Sequence, residues 1–352
     1  MCTRLISILV LLGSLGRALA APETQPAQQL AARDLPLNLH GASGKLLEWL
    51  KPFDLPAGQF QYSISQRDQD DSLTFYRLEY PSPFVSPWPE NNVVPCEYYA
   101  PAHPSGKMRA AIVLDILDGS AVLPRALCRG LAVNGIAALY MPMACYNQRR
   151  PKGDAHFGFF IEDPNRAVDI WRQTVMDIRR AKAVLALRPE VDPAHIGITG
   201  ISLGGIVTSL AAGVDGEFDR VVPILAGGDI ASLTFSTRET RGLRARMEER
   251  HITEQQLGKI MAPVEPLNFA ARIDSTRCLM INAMQDEVIP RAATDLLFNA
   301  IGRPQILWSP AGHYSSVFYL PSIQATVARF IEGKPVSKIA MFETPDPAIG
   351  SN

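Results

Sequence analysis

The sequence lacks the features that mark a membrane, nucleic-acid-binding or metal-binding protein. Its N-terminal apolar stretch, Leu5 to Leu15, is about half as long as the roughly 20 residues that a bilayer-spanning helix needs. Lys and Arg number 34 against 35 acids, so no basic excess attracts nucleic acid or an anionic membrane. The chain contains no His-Glu-x-x-His motif, no closely spaced cysteine pair and no internal repeat. With 47% hydrophobic residues over 352 positions, it can bury a full core as one globular domain.

The first 20 residues are typical of a secretory signal peptide. Arg4 precedes the short apolar stretch, and Ala18-Leu19-Ala20 supplies small residues before Ala21. We therefore expect cleavage after Ala20, a secreted or periplasmic protein, and no stable membrane anchor. Loss of Arg4 and Arg17, with no acid removed, takes the formal net charge from −1 to −3. The four remaining cysteines are an even number that permits disulfides, but three lie in or beside apolar segments, which favours buried thiols.

The rest of the chain is expected to form one α/β domain with a doubly wound, mostly parallel sheet. Residues 21–45 are rich in Gln, Ala and Pro and are predicted to be a loosely ordered lead-in. Residues 46–335 form the predicted domain, and residues 336–352 a C-terminal tail. The predicted elements begin with a helix at 46–51 and strands at 73–80 and 92–99, and continue with a strand at 110–114, a helix at 123–134, a strand at 136–141 and a helix at 167–187.

A nucleophile elbow is predicted around Ser202. The apolar strand from His195 runs into Gly200-Ile-Ser202-Leu-Gly204 and then into a helix-like segment at 206–212. At such a strand-to-helix turn the backbone is strained and crowded, so the positions beside the serine favour glycine. The turn presents the Ser202 hydroxyl at the top of a sheet, with the backbone N–H of Leu203 facing a developing oxyanion.

An acid and a histidine follow in the order that a serine hydrolase of this topology requires. The apolar strand at 277–284 ends at Asp286, and the strand at 305–309 ends before His313. The spacing of 27 positions from Asp286 to His313 accommodates one helix and one strand. A serine hydroxyl becomes a useful nucleophile only when an imidazole accepts its proton, and a carboxylate then stabilises the imidazolium. We predict these roles for His313 and Asp286.

Two other carboxylates compete with Asp286. Glu287 is its direct neighbour, and Asp229 follows the strand predicted at 221–225. Asp286 is favoured because it is the first of the pair to leave its strand and precedes Val-Ile-Pro.

The second oxyanion donor is expected from the loop after the strand at 110–114. This loop reads Asp115-Ile-Leu-Asp-Gly119 and has no His-Gly-Gly sequence. A backbone N–H donates whatever its side chain is, so we choose Leu117, with Ile116 as the alternative.

Two further regions interrupt the strand-helix alternation. Residues 142–164 carry Tyr146, Asn147, Arg149, Arg150 and His156 in a long loop, which either lines the site or is a surface loop held by arginines. Residues 230–263 include a charged helical stretch, which is either a cap over the pocket or a solvated surface helix.

Together these segments resemble the α/β-hydrolase superfamily, and within it the branch of dienelactone hydrolases and acetyl-xylan-esterase-like proteins. Besides the elbow, the similarity lies in residues 179–200, in Glu265-Pro-Leu-Asn-Phe-Ala and in Asp286-Glu-Val-Ile-Pro290, and it spans Tyr76 to Gly333. The resemblance implies a doubly wound sheet, a Ser-His-Asp triad and no cofactor, and the absence of metal-binding motifs predicts no metal.

The leading functional hypothesis is a serine carboxylic-ester hydrolase that acts on a small-molecule or carbohydrate ester through an acyl-serine intermediate. Which ester is cleaved does not follow, because one scaffold hosts many activities. A serine peptidase or acylaminoacyl hydrolase of the same fold is the first alternative. A binding protein that has lost catalysis is the second, although none of the three predicted residues is missing.

Overall fold

The structure is a computed structural model that describes residues 26–117, 119–152 and 163–336. The predicted signal peptide, the first five residues of the lead-in, His156 and all of the C-terminal tail except Val336 lie outside these residues.

The described residues form one mixed sheet of ten strands in the order β1-β2-β3-β4-β6-β5-β7-β8-β9-β10. The strands are β1 (Gln28–Arg33), β2 (Gln59–Gln69), β3 (Leu73–Pro81), β4 (Val93–Pro101), β5 (Met108–Leu114), β6 (Ala137–Met141), β7 (Val191–Ile201), β8 (Val221–Ile224), β9 (Leu279–Ala283) and β10 (Gln305–Ser309). Pairing is antiparallel from β1 through β4 to β6 and parallel from β6 through β5 to β10. The parallel half therefore collects the carboxyl ends of six strands at one edge.

Helices cover both faces of this sheet, as predicted. They are α1 (Gly44–Leu50), α2 (Val122–Val133), α3 (Pro164–Ala186), α4 (Leu203–Asp215), α5 (Ile230–Ser236), α6 (Arg241–Glu249), α7 (Glu254–Met261), α8 (Arg291–Ala300) and α9 (Leu320–Ile331). Strand β5 shows the two faces most clearly, because its successive side chains point to opposite sides. Ile112 belongs to the core that includes α3 and α4, whereas Val113 belongs to the core that includes α2 and α9.

The N-terminal lead-in is more ordered than the sequence predicts. Part of it forms β1, which pairs antiparallel with β2 at the edge of the sheet. Beyond β1, Asp34 is buried in an ion pair with Arg180 of α3 at 2.5 Å, and Leu37 is buried. The composition of residues 21–45 was misleading, because tertiary partners from α3 and β2 order a segment that lacks an apolar pattern of its own.

Strand β2 is not among the elements predicted from the sequence. Phe60, Tyr62 and Ile64 are buried, and alternate with more exposed neighbours. This period-two pattern is the signal that identifies a half-buried strand.

Among the described residues, no helix combines the length and apolar character required to cross a bilayer. Cys96, Cys128, Cys145 and Cys278 are all buried, and none forms a disulfide.

Candidate active site

Ser202 lies at the sharp turn between β7 and α4. Its backbone has φ 58° and ψ −120°, a conformation that costs a non-glycine residue about 1–3 kcal/mol. Strand β7 holds the turn between β5 and β8, and the Ser202 N–H donates to the Ile224 carbonyl of β8 at 2.8 Å. The sheet thus imposes the strained conformation that places the hydroxyl at the carboxyl edge.

The flanking glycines allow this turn because other backbone atoms occupy the space of their missing side chains. A Cβ on Gly200 would lie 2.5 Å from the carbonyl carbon and oxygen of Gly204. A Cβ on Gly204 would lie 2.3 Å from the backbone oxygen of Asp115, at the end of β5. The elbow helix therefore contacts the loop that follows β5 directly.

Ser202, His313 and Asp286 form one continuous chain of hydrogen bonds. The Nε2 of His313 lies 2.9 Å from the Oγ of Ser202, and its Nδ1 lies 2.9 and 3.0 Å from the two carboxylate oxygens of Asp286. The His313 and Asp286 side chains are 9% and 5% exposed. Backbone N–H groups of Val288 and Ile289 also donate to Asp286 Oδ1, at 2.9 and 2.8 Å, which fixes the carboxylate. This arrangement can move a proton from the serine to the imidazole and stabilise the resulting cation.

The two competing carboxylates have other partners. Glu287 Oε2 accepts the backbone N–H of His313 at 2.9 Å, so this residue holds the histidine loop. Asp229 caps the N-terminus of α5 by accepting the Ser232 N–H at 3.1 Å. Of the three carboxylates, Asp286 is the one hydrogen-bonded to the His313 ring.

Leu203 is the first residue of α4, where a backbone N–H has no acceptor within its own helix. The helix dipole adds partial positive charge at this end, which suits an oxyanion. Leu117 and Ile116 are half-buried in the loop after β5, whose Gly119 N–H donates to the Ile116 carbonyl at 3.0 Å. The donor roles of Leu203 and Leu117 stay predictions.

Asp115 is a residue of this site that the sequence did not single out. Its carboxylate is buried and accepts hydrogen bonds from the Tyr140 hydroxyl, the Met143 backbone N–H and the Asn147 amide. Burial raises the pKa of the Asp115 carboxyl to about 7, and these hydrogen bonds oppose that rise. The available signal was its position directly after the predicted strand at 110–114.

The described part of the long loop after β6, residues 142–152, packs inward rather than over the surface. Arg149, expected either at a site or on the surface, is fully buried and pairs with Asp177 of α3 at 2.6 Å. Its guanidinium also donates to the backbone oxygens of Pro142 and Asn91, at 3.0 and 2.8 Å. Asn147 reaches Asp115, so the loop touches the region after β5.

The insertion at 230–263 folds into α5, α6 and α7. Met247 and Leu257 are buried, whereas the charged side chains of α6 are largely exposed. The loop between α5 and α6 contacts the histidine loop, since the Tyr314 hydroxyl donates to Glu239 at 2.7 Å. This contact places part of the insertion beside His313, and a cap over the pocket stays a prediction.

The family model for acetyl xylan esterase (AXE1) matches residues 132–307, half of the chain. The chain belongs to the acetyl xylan esterase family. This assignment confirms the predicted resemblance to the α/β-hydrolase superfamily and supports a carboxylesterase-type hydrolase.

Two solved acetyl xylan esterases have the same fold as this chain. An acetyl xylan esterase from Paenibacillus sp. R4 superimposes with a TM-score of 0.65 at 21% identity, over 85% of this chain and 97% of that one. Acetyl xylan esterase 1 from Thermoanaerobacterium sp. JW/SL YS485 gives a TM-score of 0.60 at 17% identity, over 83% and 96%. Both comparisons support the α/β-hydrolase fold.

A related sequence occurs in Mycobacterium tuberculosis. The uncharacterized protein Rv2627c is 29% identical over 167 residues, which are 47% of this chain. The matched part spans 38% of the mycobacterial protein.

Proposed function

We propose that the protein is a serine carboxylic-ester hydrolase that acts through an acyl intermediate on Ser202. The observation that carries the proposal is the continuous hydrogen-bonded chain from Ser202 through His313 to Asp286. Membership of the acetyl xylan esterase family supports the same reaction class.

Acylation begins when the Ser202 Oγ attacks the ester carbonyl carbon and its proton passes to Nε2 of His313. The carbonyl oxygen becomes an oxyanion that the Leu203 N–H and a donor from the loop after β5 stabilise. Asp286 stabilises the imidazolium through Nδ1. The tetrahedral intermediate then expels the alcohol, which takes the proton from Nε2, and the acyl group stays on Ser202.

Deacylation repeats these steps with water as the nucleophile. His313 accepts a proton from water, hydroxide adds to the acyl carbon, and the intermediate collapses to the carboxylic acid as Ser202 Oγ regains its proton. The same three side chains serve both halves of the reaction.

The direct test uses purified mature protein with p-nitrophenyl acetate and a fluorophosphonate probe. We expect turnover and labelling in the wild type, and loss of both in Ser202→Ala, with kcat reduced by about a thousandfold or more. Ser209→Ala, which alters a buried serine of α4 bonded to the Gly205 carbonyl, is the matched control and should retain turnover. Equal turnover in wild type and Ser202→Ala contradicts the proposal.

We propose a short acyl group on a small-molecule or carbohydrate alcohol as the substrate class. The family name and the two solved acetyl xylan esterases support acetyl esters. A panel of p-nitrophenyl esters of increasing acyl length, acetylated xylose and acetylated xylan tests this class. A dipeptide anilide in the same panel tests the peptidase alternative, and a higher kcat/KM on the anilide than on every ester would contradict an esterase.

We further propose export by the N-terminal signal peptide. The support comes from Arg4, the short apolar stretch and Ala18-Leu19-Ala20. Expression of the full chain in a secreting host should yield protein whose N-terminal sequence begins at Ala21. Recovery of uncleaved protein from the cytosol alone would contradict export.

A further inference from the structure

A cluster of hydrogen-bonded polar side chains lies next to the loop that follows β5. We infer that Asp115, Tyr140 and Asn147 are positioning residues that fix the backbone of this loop, of which residues 115–117 and 119 are described, against the N-terminus of α4. The inference rests on the proposed function, because this loop is the predicted source of the second oxyanion donor. Asp115 directly follows β5, Tyr140 lies in β6, and Asn147 lies in the loop after β6.

The Asp115 carboxylate receives donors from both neighbouring segments. The Tyr140 hydroxyl donates to Oδ1 at 2.5 Å and the Asn147 amide donates to the same oxygen at 2.7 Å. The Met143 backbone N–H donates to Oδ2 at 2.8 Å, and the Asn147 amide also lies 2.6 Å from the Tyr140 oxygen. A carboxylate in this pattern ties the end of β5 to the end of β6 and to the loop beyond it.

The backbone of the same residue contacts the elbow. A Cβ on Gly204 would lie 2.3 Å from the Asp115 carbonyl oxygen. A displacement of Asp115 therefore displaces the loop relative to Leu203, which supplies the first predicted donor.

The far end of the loop is held by the same neighbouring segment. Gly119 has φ 72°, and a Cβ there would lie 3.3 Å from the Arg150 guanidinium and 3.5 Å from the Tyr146 ring. The loop is thus confined at Asp115 and at Gly119 by residues 140–150. Since an oxyanion donor must lie about 2.7–3.1 Å from the oxyanion, this confinement affects the transition state more than the bound substrate.

The ionised form of Asp115 is the one that fits this hydrogen-bond pattern. The three hydrogen-bonding groups on Asp115 are neutral donors, so the ionised carboxylate is the form that accepts all of them. Burial raises the pKa of this carboxyl to about 7, which means that its ionisation costs free energy. An asparagine has a similar size, but its amide NH₂ would face a donor, so one of the three contacts would be lost.

A positioning role and a merely stabilising role differ in their kinetic signature. Loss of an interaction made in the transition state lowers kcat and leaves KM nearly unchanged. Loss of stability alone lowers the folded fraction, but the kcat per folded molecule stays constant. Asp34→Asn is the matched control, because Asp34 is a buried carboxylate that pairs with Arg180 and directly follows the edge strand β1, which four strands separate from β5.

The experiment measures kcat and KM for p-nitrophenyl acetate, normalised to folded protein, in wild type, Ser202→Ala, Asp115→Asn, Asn147→Gly and Asp34→Asn. It also measures inhibition by an alkyl trifluoromethyl ketone, which forms a hemiketal oxyanion on the serine. Asn147 has φ 48° and is half-buried, and glycine adopts this backbone conformation without strain. We therefore expect Asn147→Gly to fold, so this variant tests the inference even if Asp115→Asn fails to fold.

We expect Asp115→Asn to lower kcat by about 10- to 100-fold with KM within about twofold, and to weaken the ketone in proportion. We expect a loss of about threefold to tenfold in Asn147→Gly, because two donors to Asp115 remain. Asp34→Asn should lose thermal stability and keep kcat. A kcat within twofold of wild type in either folded cluster variant overturns the inference, as does a rise in KM without a fall in kcat. An inactive wild type overturns the proposed function and the inference together, whereas an active wild type with unaffected cluster variants overturns the inference alone.

Discussion

Ser202 has a backbone conformation that only its surroundings can maintain. A positive φ at a serine is unfavourable, and the close approaches of Gly200 and Gly204 compensate by letting α4 sit directly on the sheet. Both close approaches are to backbone atoms, and the one at Gly204 is the shorter, since its Cβ would lie 2.3 Å from the Asp115 oxygen in the loop after β5. The position of the Ser202 hydroxyl therefore depends on the absence of a side chain at Gly204.

This dependence predicts the effect of Gly204→Ala. The added Cβ would overlap the Asp115 oxygen, so α4 and the β5 loop must separate, and we expect kcat to fall at least tenfold and the free energy of unfolding to fall by about 1–3 kcal/mol. Activity assays and denaturant unfolding measure both effects.

Gly258→Ala is the control for that substitution. Gly258 lies within α7, and its Cβ would make only an ordinary 3.6 Å contact with Ala231. Alanine favours a helix over glycine by about 0.8–1 kcal/mol, so this variant should be more stable and equally active. Unchanged kcat in Gly204→Ala would show that the close approach does not matter.

At the scale of elements, the loops after β9 and β10 act as a pair. The backbone N–H groups of Met284 and Gln285 donate to the Ser309 and Ala311 carbonyls, each at 2.9 Å. Asp286 then holds the His313 ring, while Glu287 holds the His313 backbone. Two adjacent carboxylates thus fix one histidine through two different atoms.

The pairing predicts that Glu287→Ala lowers kcat by about twofold to tenfold, the range expected for one hydrogen bond. Glu287→Gln retains an acceptor oxygen and should keep most of the activity. Glu48→Ala, at an exposed helix position of α1, controls for loss of a surface carboxylate. The idea fails if Glu287→Ala and Glu48→Ala have the same kcat.

At the scale of the whole molecule, α3 ties the N-terminal segment to the parallel half of the sheet. Arg180 binds Asp34 with two hydrogen bonds at 2.9 and 2.5 Å and donates to the Pro81 carbonyl at 2.6 Å. Arg179 donates to the Phe53 and Leu35 carbonyls, each at 2.7 Å. Because β1 begins at Gln28, the cleavage proposed after Ala20 leaves this whole attachment intact.

Asp34→Ala should therefore destabilise the protein by about 3–5 kcal/mol, because it leaves the buried Arg180 guanidinium without its carboxylate. Asp295→Ala removes a carboxylate from the exposed pair with Arg291 and should cost about 1 kcal/mol or less. Thermal unfolding of the two variants compares them directly. Equal shifts in Tm would mean that the N-terminal attachment contributes little.

Local chemistry explains what could be predicted. Gly200 and Gly204 indicate a tight turn because the contacts that exclude a side chain at these positions come from backbone atoms, and the structure has that turn. The parallel half of the sheet could be predicted from continuous apolar runs, while β2 was missed and β1 had no apolar pattern to detect. The Asp115 cluster could not be predicted, because its members become neighbours only when β5 pairs with β6.

The sequence by itself determined the elbow at Ser202 and the order of Asp286 and His313, since tight turns and consecutive parallel strands are specified by nearby residues. Only the tertiary structure decided what surrounds them. Asp229 caps a helix, and Glu287 accepts a hydrogen bond from the His313 backbone. Asp115 connects the loop after β5 to the loop after β6. The physical reason is that a carboxylate's role depends on the donors that reach it, and these donors come from residues that are distant in the chain but close in the fold.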